Sequence, residues 1–143
     1  MINPSEMIAR GLILVEGAPI TNPRSRVRAT ASVRVLAPKP LRGSLKLRAA
    51  LHELHVPVNG LLALDLGAAA GGFTQALLEA GAARVYAVDA GAGQLRGWLR
   101  ADPRVINLER TNVANVGPDL VPEPVDLVTI DLSYLALADA LPQ

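Results

Sequence analysis

The sequence predicts an α/β protein, an open parallel sheet preceded by a small hairpin-rich module. Three observations predict it. Residues Leu61–Asp89 read as an apolar strand, a loop of small residues and glycines, an apolar helix stopping at Gly81, and a second strand ending in a carboxylate. Further strand-length apolar runs, Val105–Leu108 and Val125–Ile130, alternate with helical patterns, as in a sheet whose two faces are both covered. Before residue 36 the runs are shorter and punctuated by Glu16-Gly17 and Asn22-Pro23, the signature of hairpins.

The composition sets the bounds. The 143 residues suit one domain or one domain plus a small module, and with half of them apolar a packed core is expected. Aromatic residues make up 3%, so that core rests on Leu, Val, Ile and Ala. There is no cysteine, which removes disulfides, thiolate metal sites and cysteine nucleophiles. No apolar run approaches the ~20 residues of a membrane span, and the start lacks a basic segment leading into an apolar one, so a cytoplasmic protein is the default. The net charge of +1 hides an asymmetry. Residues 1–48 hold nine basic residues against Glu6 and Glu16, and the remainder holds five arginines against eleven acids. A basic front joined to an acidic back suggests a polyanion-binding module attached to a ligand-binding one. Ordinary solvated surface is the plain alternative.

In chain order, Gly11–Val15 reads as a strand, Glu16-Gly17 as a tight turn, Ala18–Thr21 as the return, and Ser32–Val35 as a third strand. Gly11, Ile13, Val15, Gly17, Ile20 and Pro23 resemble the later part of an S4 RNA-binding domain, of which Pro4–Arg10 would supply only a stub of the second helix. The module therefore spans residues 1–36. Its RNA contacts would come from Arg10, Arg24, Arg26 and Arg28, with Arg42 following. Residues 37–43 form a linker stiffened by Pro38 and Pro40. The second domain, residues 44–143, opens with a helix for which Ser44 is the expected N-cap and Leu47, Ala50, Leu51 and Leu54 the buried face. Lys46 lies in its first turn, off that face, and on spacing alone reads as a solvated side chain. His52 and His55 lack a third ligand nearby and read as surface histidines rather than metal ligands. Beyond Asp89 a short helix is expected over Gln94–Arg100, ended by Asp102-Pro103, with Leu95, Trp98 and Leu99 on the sheet. Val105–Leu108 and Val125–Asp131 are the third and fourth strands, and a further helix begins at Leu132-Ser133-Tyr134.

In open parallel sheets the ligand lies outside the carboxyl ends of the strands. Asp65, Asp89, Asn112 and Asp131 all stand at or just beyond those ends. The amides around Gly67, Ala68, Gly71, Gly72 and Phe73, at a helix N-terminus, suit an anionic group, and glycine would let a ligand reach the backbone. Asp89 follows Gly72 by 17 residues, near the ~20-residue offset at which a carboxylate takes both ribose hydroxyls. Asn112 could read an adenine edge. A nicotinamide cofactor is the rival, since Gly67-x-Ala69-x-x-Gly72 is a degraded dinucleotide fingerprint. Asp65 argues against it, because its charge would stand beside a pyrophosphate and suits instead the ammonium and sulfonium of S-adenosylmethionine.

Several motifs then occur in a familiar order. They are Leu45-Lys46-Leu47, Asp65–Thr74, Gly81–Asp89, Gly93-Gln94-Leu95, Asp102–Val105, Glu109–Asn112 and Val125–Tyr134. Together they resemble the TlyA (hemolysin A-like) family, S4-domain-bearing relatives of the FtsJ ribosomal RNA 2′-O-methyltransferases. The resemblance implies a Rossmann-like, S-adenosylmethionine-dependent methyltransferase fold. It also implies methyl transfer to a cytidine ribose 2′-hydroxyl of ribosomal RNA, with ribosomal RNA or a ribosomal subunit as partner. It makes Lys46 the first member of a Lys-Asp-Lys-Glu set and Asp131 its aspartate. The second lysine and the glutamate lie after the fourth strand in that family, whereas this chain has no lysine after Lys46 and ends at Gln143. The expectation is a family member truncated at both ends, with impaired turnover and self-association through an unpaired sheet edge. A module that binds RNA or serves as a scaffold without catalysis is the alternative from another class. The family's haemolytic association finds no membrane-active stretch here.

Overall fold

A computed structural model of the chain describes residues 4–36 and 40–132. Part of the expected linker (Ala37, Pro38, Lys39) and the helix expected from Ser133-Tyr134 lie outside the described residues. The chain divides into two units, residues 1–39 and 40–143.

The first unit holds helix α1 (Pro4–Ala9) and strands β1 (Ile13–Val15), β2 (Ala18–Ile20) and β3 (Val33–Val35). The strands form an antiparallel sheet in the order β2-β1-β3. The β1–β2 register pairs Val15 with Ala18, which leaves Glu16 and Gly17 as a two-residue turn. Both have positive φ, 51° and 81°, as the hairpin turn matching strand twist requires. Glu16 adds a second tie, because its carboxylate accepts from the Ser32 amide at 3.0 Å. Leu14 is the buried residue of this sheet.

The second unit is the predicted parallel sheet. Its elements are α2 (Arg42–Glu53), β4 (Leu62–Leu66), α3 (Gly72–Glu79), β5 (Arg84–Asp89), α4 (Gly97–Arg100), β6 (Val105–Glu109) and β7 (Leu127–Ile130). The strand order is β6-β5-β4-β7, all parallel, so the chain reverses direction across the sheet between β4 and β7. Side chains alternate across the strands. Ala63, Val85 and Ala87 face α2, α3 and α4, where Leu47, Phe73, Ala76, Leu77, Leu95 and Leu99 complete one core layer. Leu64, Leu66, Tyr86 and Val88 form the other layer, covered by Val113, Val116, Val121 and Val125 from the connection between β6 and β7. Each fully buried leucine, such as Leu77 or Leu99, contributes roughly 2 kcal/mol through removal of its surface from water. Among the described residues no helix is long and apolar enough to cross a membrane.

Two expectations for the helices are corrected. Helix α2 begins at Arg42 with Leu41 as N-cap, three residues before the expected cap at Ser44. Ser44 is fully buried inside the first turn, and its hydroxyl donates to the Leu41 carbonyl at 2.8 Å instead of capping. The inward face is Ser44 and Leu47, with Leu51 partly buried against the same core as expected, whereas Ala50 is exposed and Leu54 is 74% exposed. Helix α4 has only four residues, with Leu95 and Leu99 buried as expected but Gln94–Arg96 outside the helix. The Leu95 amide is instead drawn to the Glu109 carboxylate, 3.3 Å away.

Candidate active site

The carboxyl ends of the four parallel strands carry the polar residues singled out in the sequence. Asp89 ends β5 half-buried, and its carboxylate is held by two backbone amides, Ala69 N at 2.8 Å and Gly91 N at 2.7 Å. The loop from β4 to α3 is thereby tied to the end of β5. The amides of Gly67 and Ala68 tighten the tie by donating to the Val88 carbonyl at 2.9 and 3.0 Å. Ala69 has φ +45°, a left-handed conformation that the Asp89 contact holds in place. After β6, the amides of Arg110 and Thr111 donate to the Gly91 and Asp89 carbonyls, which bring Asn112 to the same edge. The Asn112 carboxamide oxygen accepts from Ala114 N at 3.0 Å and caps a short 3₁₀ turn, which orients the carboxamide and leaves its nitrogen available for a ligand.

The glycines answer to packing as well as to approach. Sequence reasoning assigned them to contact with a ligand. In the structure, a Cβ on Gly67, whose φ is +86°, would lie 2.5 Å from the Asp131 carbonyl oxygen. One on Gly71 would collide with Leu99 and Leu95, and one on Gly72 would lie 2.8 Å from the Gly43 Cα. These residues let β7, α4 and α2 close in on the loop. The amides of Gly72 and Phe73, in the first turn of α3, have no acceptor among the described residues, as the start of a helix leaves them. They fit a carboxylate, and the oriented Asp89 carboxylate fits a pair of hydroxyls. The described loop therefore suits an amino-acid-bearing nucleoside.

Asp65 behaves differently from the expectation that its charge faces a cation. It is fully buried. The Thr74 hydroxyl donates to one oxygen at 2.6 Å and the Thr129 hydroxyl to the other at 3.0 Å. Thr129 is its register partner on β7, and Thr74 projects from α3. Burial pushes its pKa up to about 6, while the two hydroxyls and the Thr74 amide pull it back down. It is a structural acid joining β4, α3 and β7. The two threonines were missed in the sequence, where the only signal was a hydroxyl within each of two apolar stretches.

Lys46 and Asp131 lie 85 residues apart in sequence and meet in space. Lys46 Nζ donates to Asp131 Oδ1 at 3.1 Å, with both side chains substantially exposed. The same ammonium stands 5.4 Å from the centre of the Phe73 ring. Helix α2 thus delivers a cation to the end of β7, beside the glycine loop. Of the arginines expected to contact RNA, Arg24, Arg26 and Arg28 are exposed in the first unit and Arg42 is exposed in the second. Arg10 differs, because its side chain is 5% exposed and pairs with Glu6 at 3.6 Å.

Comparison with known proteins agrees with this architecture. The FtsJ-like methyltransferase family model matches residues 41–143. The chain is 42% identical over 142 residues to the 16S/23S rRNA (cytidine-2′-O)-methyltransferase TlyA of Mycobacterium tuberculosis, covering 96% of this chain and 53% of that protein. It is 31% identical over 140 residues to hemolysin A of Brachyspira hyodysenteriae, covering 96% and 58%. The solved structure of a hemolysin-named protein from Lactococcus lactis superimposes with a TM-score of 0.68 at 41% identity, covering 71% of this chain and 50% of that one. The chain spans about half the length of the curated relatives it matches. With a family model covering the whole of the parallel sheet, the chain belongs to the FtsJ-like methyltransferase family.

Proposed function

We propose that the chain takes part in S-adenosylmethionine-dependent methyl transfer to a ribose 2′-hydroxyl, a cytidine's, of ribosomal RNA. The observation that carries this reading is the Lys46–Asp131 pair standing beside the glycine loop in a chain of this family. S-adenosylmethionine, when bound, supplies a methyl group made electrophilic by its sulfonium. The Gly72 and Phe73 amides hold its carboxylate, Asp89 its ribose hydroxyls, and the Asn112 carboxamide nitrogen its base. Gly67, Ala68 and Gly71 shape the loop. Asp65 supports the loop from beneath through Thr74 and Thr129 and contributes no direct contact. Asp131 accepts a hydrogen bond from the ribose hydroxyl and orients its lone pair, while Lys46 fixes the carboxylate and offsets its charge near the RNA. The resemblance to the TlyA family assigns removal of the hydroxyl proton to a second lysine. The two lysines of these 143 residues are Lys39 and Lys46. The three-stranded first unit, with exposed Arg24, Arg26 and Arg28, supports an S4-like role in holding RNA.

Calorimetric titration tests the cofactor. S-adenosylmethionine should release heat with a micromolar dissociation constant. Asp89→Ala, which removes a charge-assisted acceptor, should weaken it about 10- to 100-fold. Absence of heat at high micromolar ligand would overturn the assignment. Incorporation of labelled methyl into ribosomal RNA, with the product resistant to alkaline cleavage at one position, separates ribose from base methylation.

A further inference from the structure

The Phe73 side chain is committed to α2. Its ring is 8% exposed, and a Cβ built on Gly43 would lie 3.4 Å from its Cδ1. The ring also carries the Lys46 ammonium 5.4 Å from its centre. The contact is one of three that weld the first turns of α2 and α3. Gln75 Oε1 accepts from the Leu41 amide at 3.3 Å, and the Gly43 and Gly72 backbones approach so closely that neither tolerates a methyl group without a shift. Lys46 is otherwise a long, exposed side chain, and its ion pair with Asp131 is a half-exposed one of the kind worth little alone. An aromatic face beneath the ammonium narrows the positions it can take.

We infer that Phe73 is a positioning residue. Its ring, set by the Gly43–Gly72 joint, holds the Lys46 ammonium against Asp131, while its backbone amide faces the cofactor. The same residue thereby registers the acceptor-side lysine to the cofactor loop through one helical turn. This inference rests on the methyltransferase reading for its purpose, though not for its geometry.

The chain has only two lysines, Lys39 and Lys46, so reductive methylation with labelled formaldehyde gives a spectrum of two lysine signals plus the α-amine. Lys39→Arg assigns them. The dimethyl signal of Lys46 should lie upfield through the ring current of Phe73. It should move downfield in Phe73→Leu and in Gly43→Ala, and stay upfield in Phe73→Tyr, with the far-UV circular dichroism of Phe73→Leu and Phe73→Tyr matching the unaltered chain. In calorimetric titration, Phe73→Leu should leave the dissociation constant for S-adenosylmethionine within about threefold of the unaltered chain. A Lys46 signal indifferent to Phe73→Leu overturns the inference. So does a loss of S-adenosylmethionine affinity of about tenfold or more in Phe73→Leu, which would make Phe73 a cofactor contact. Failure of the unaltered chain to bind S-adenosylmethionine strikes the methyltransferase reading instead, and the Lys46 signal still judges Phe73.

Discussion

Asp65 shows how a single residue can look functional in sequence and prove structural in space. It stands at the end of β4, where a catalytic or binding carboxylate is expected, yet it is sealed among Thr74, Thr129 and the core. Its pKa rises from 3.8 to about 6. The folded state therefore binds a proton more tightly than the unfolded chain, and ionising Asp65 costs stability. At 1.36 kcal/mol per unit the cost is about 3 kcal/mol. That stability is fully present below pH 3.8 and is lost as pH rises through 6. Asp65→Asn keeps a hydrogen-bonding group of the same shape without the charge. Its urea midpoint relative to the unaltered chain should rise between pH 4 and 7 and level off above. A difference independent of pH would show that Asp65 titrates as an ordinary carboxylate. Position along the strand was legible in the sequence for Asp65, Asp89, Asn112 and Asp131 alike. Depth was not, because it depends on which residues of α3 and β7 close over each one.

Among the elements, the strands β4 to β7 and helix α3 were readable because their cues are local: apolar runs of strand length, the helical period, and glycine at the stops. The start of α2 and the shortness of α4 were not. Ser44 has the chemistry of an N-cap, but the close passage of Gly43 over Gly72 needs a helical turn already formed at Arg42, and tertiary contact overrides the local preference. In α4 the Glu109 carboxylate takes the Leu95 amide, and the helix starts two residues later. The meeting of Lys46 with Asp131 was accessible only through resemblance, since spacing within α2 says nothing about β7. The Gly43–Gly72 joint yields a prediction at this scale. Gly72→Ala places a methyl group 2.8 Å from the Gly43 Cα, an overpacking of backbone against backbone. It should cost about 1–3 kcal/mol in urea denaturation, whereas Gly117→Ala, with open space around it, should cost far less.

On the scale of the whole molecule, charge is divided between the two units. The exposed Arg24, Arg26 and Arg28 belong to the first, and the polar strand ends of the sheet belong to the second. If the first unit grips single-stranded RNA through phosphates, each contact adds about 0.7 to the slope of log affinity against log salt. Replacing the three arginines with alanine should flatten that slope by about 2 and leave S-adenosylmethionine titration unchanged. An unaltered slope would place the RNA contacts elsewhere. The strand order also implies a sequence of assembly. β4 and β5 pair across some 20 residues, as Leu64 with Tyr86, whereas β4 and β7 pair across 64, as Leu64 with Val128. Closing the longer loop costs more entropy, so β7 is expected to dock last. In such an order Asp65 would lack the Thr129 hydroxyl, and keep water on that flank, until the last step. The burial that β7 completes should outweigh the opposing pull of the Thr129 hydroxyl, so between about pH 4 and 6 docking of the last strand is expected to take up a proton. Refolding in a weakly buffered indicator solution would then record completion of the sheet as a small, late rise in pH.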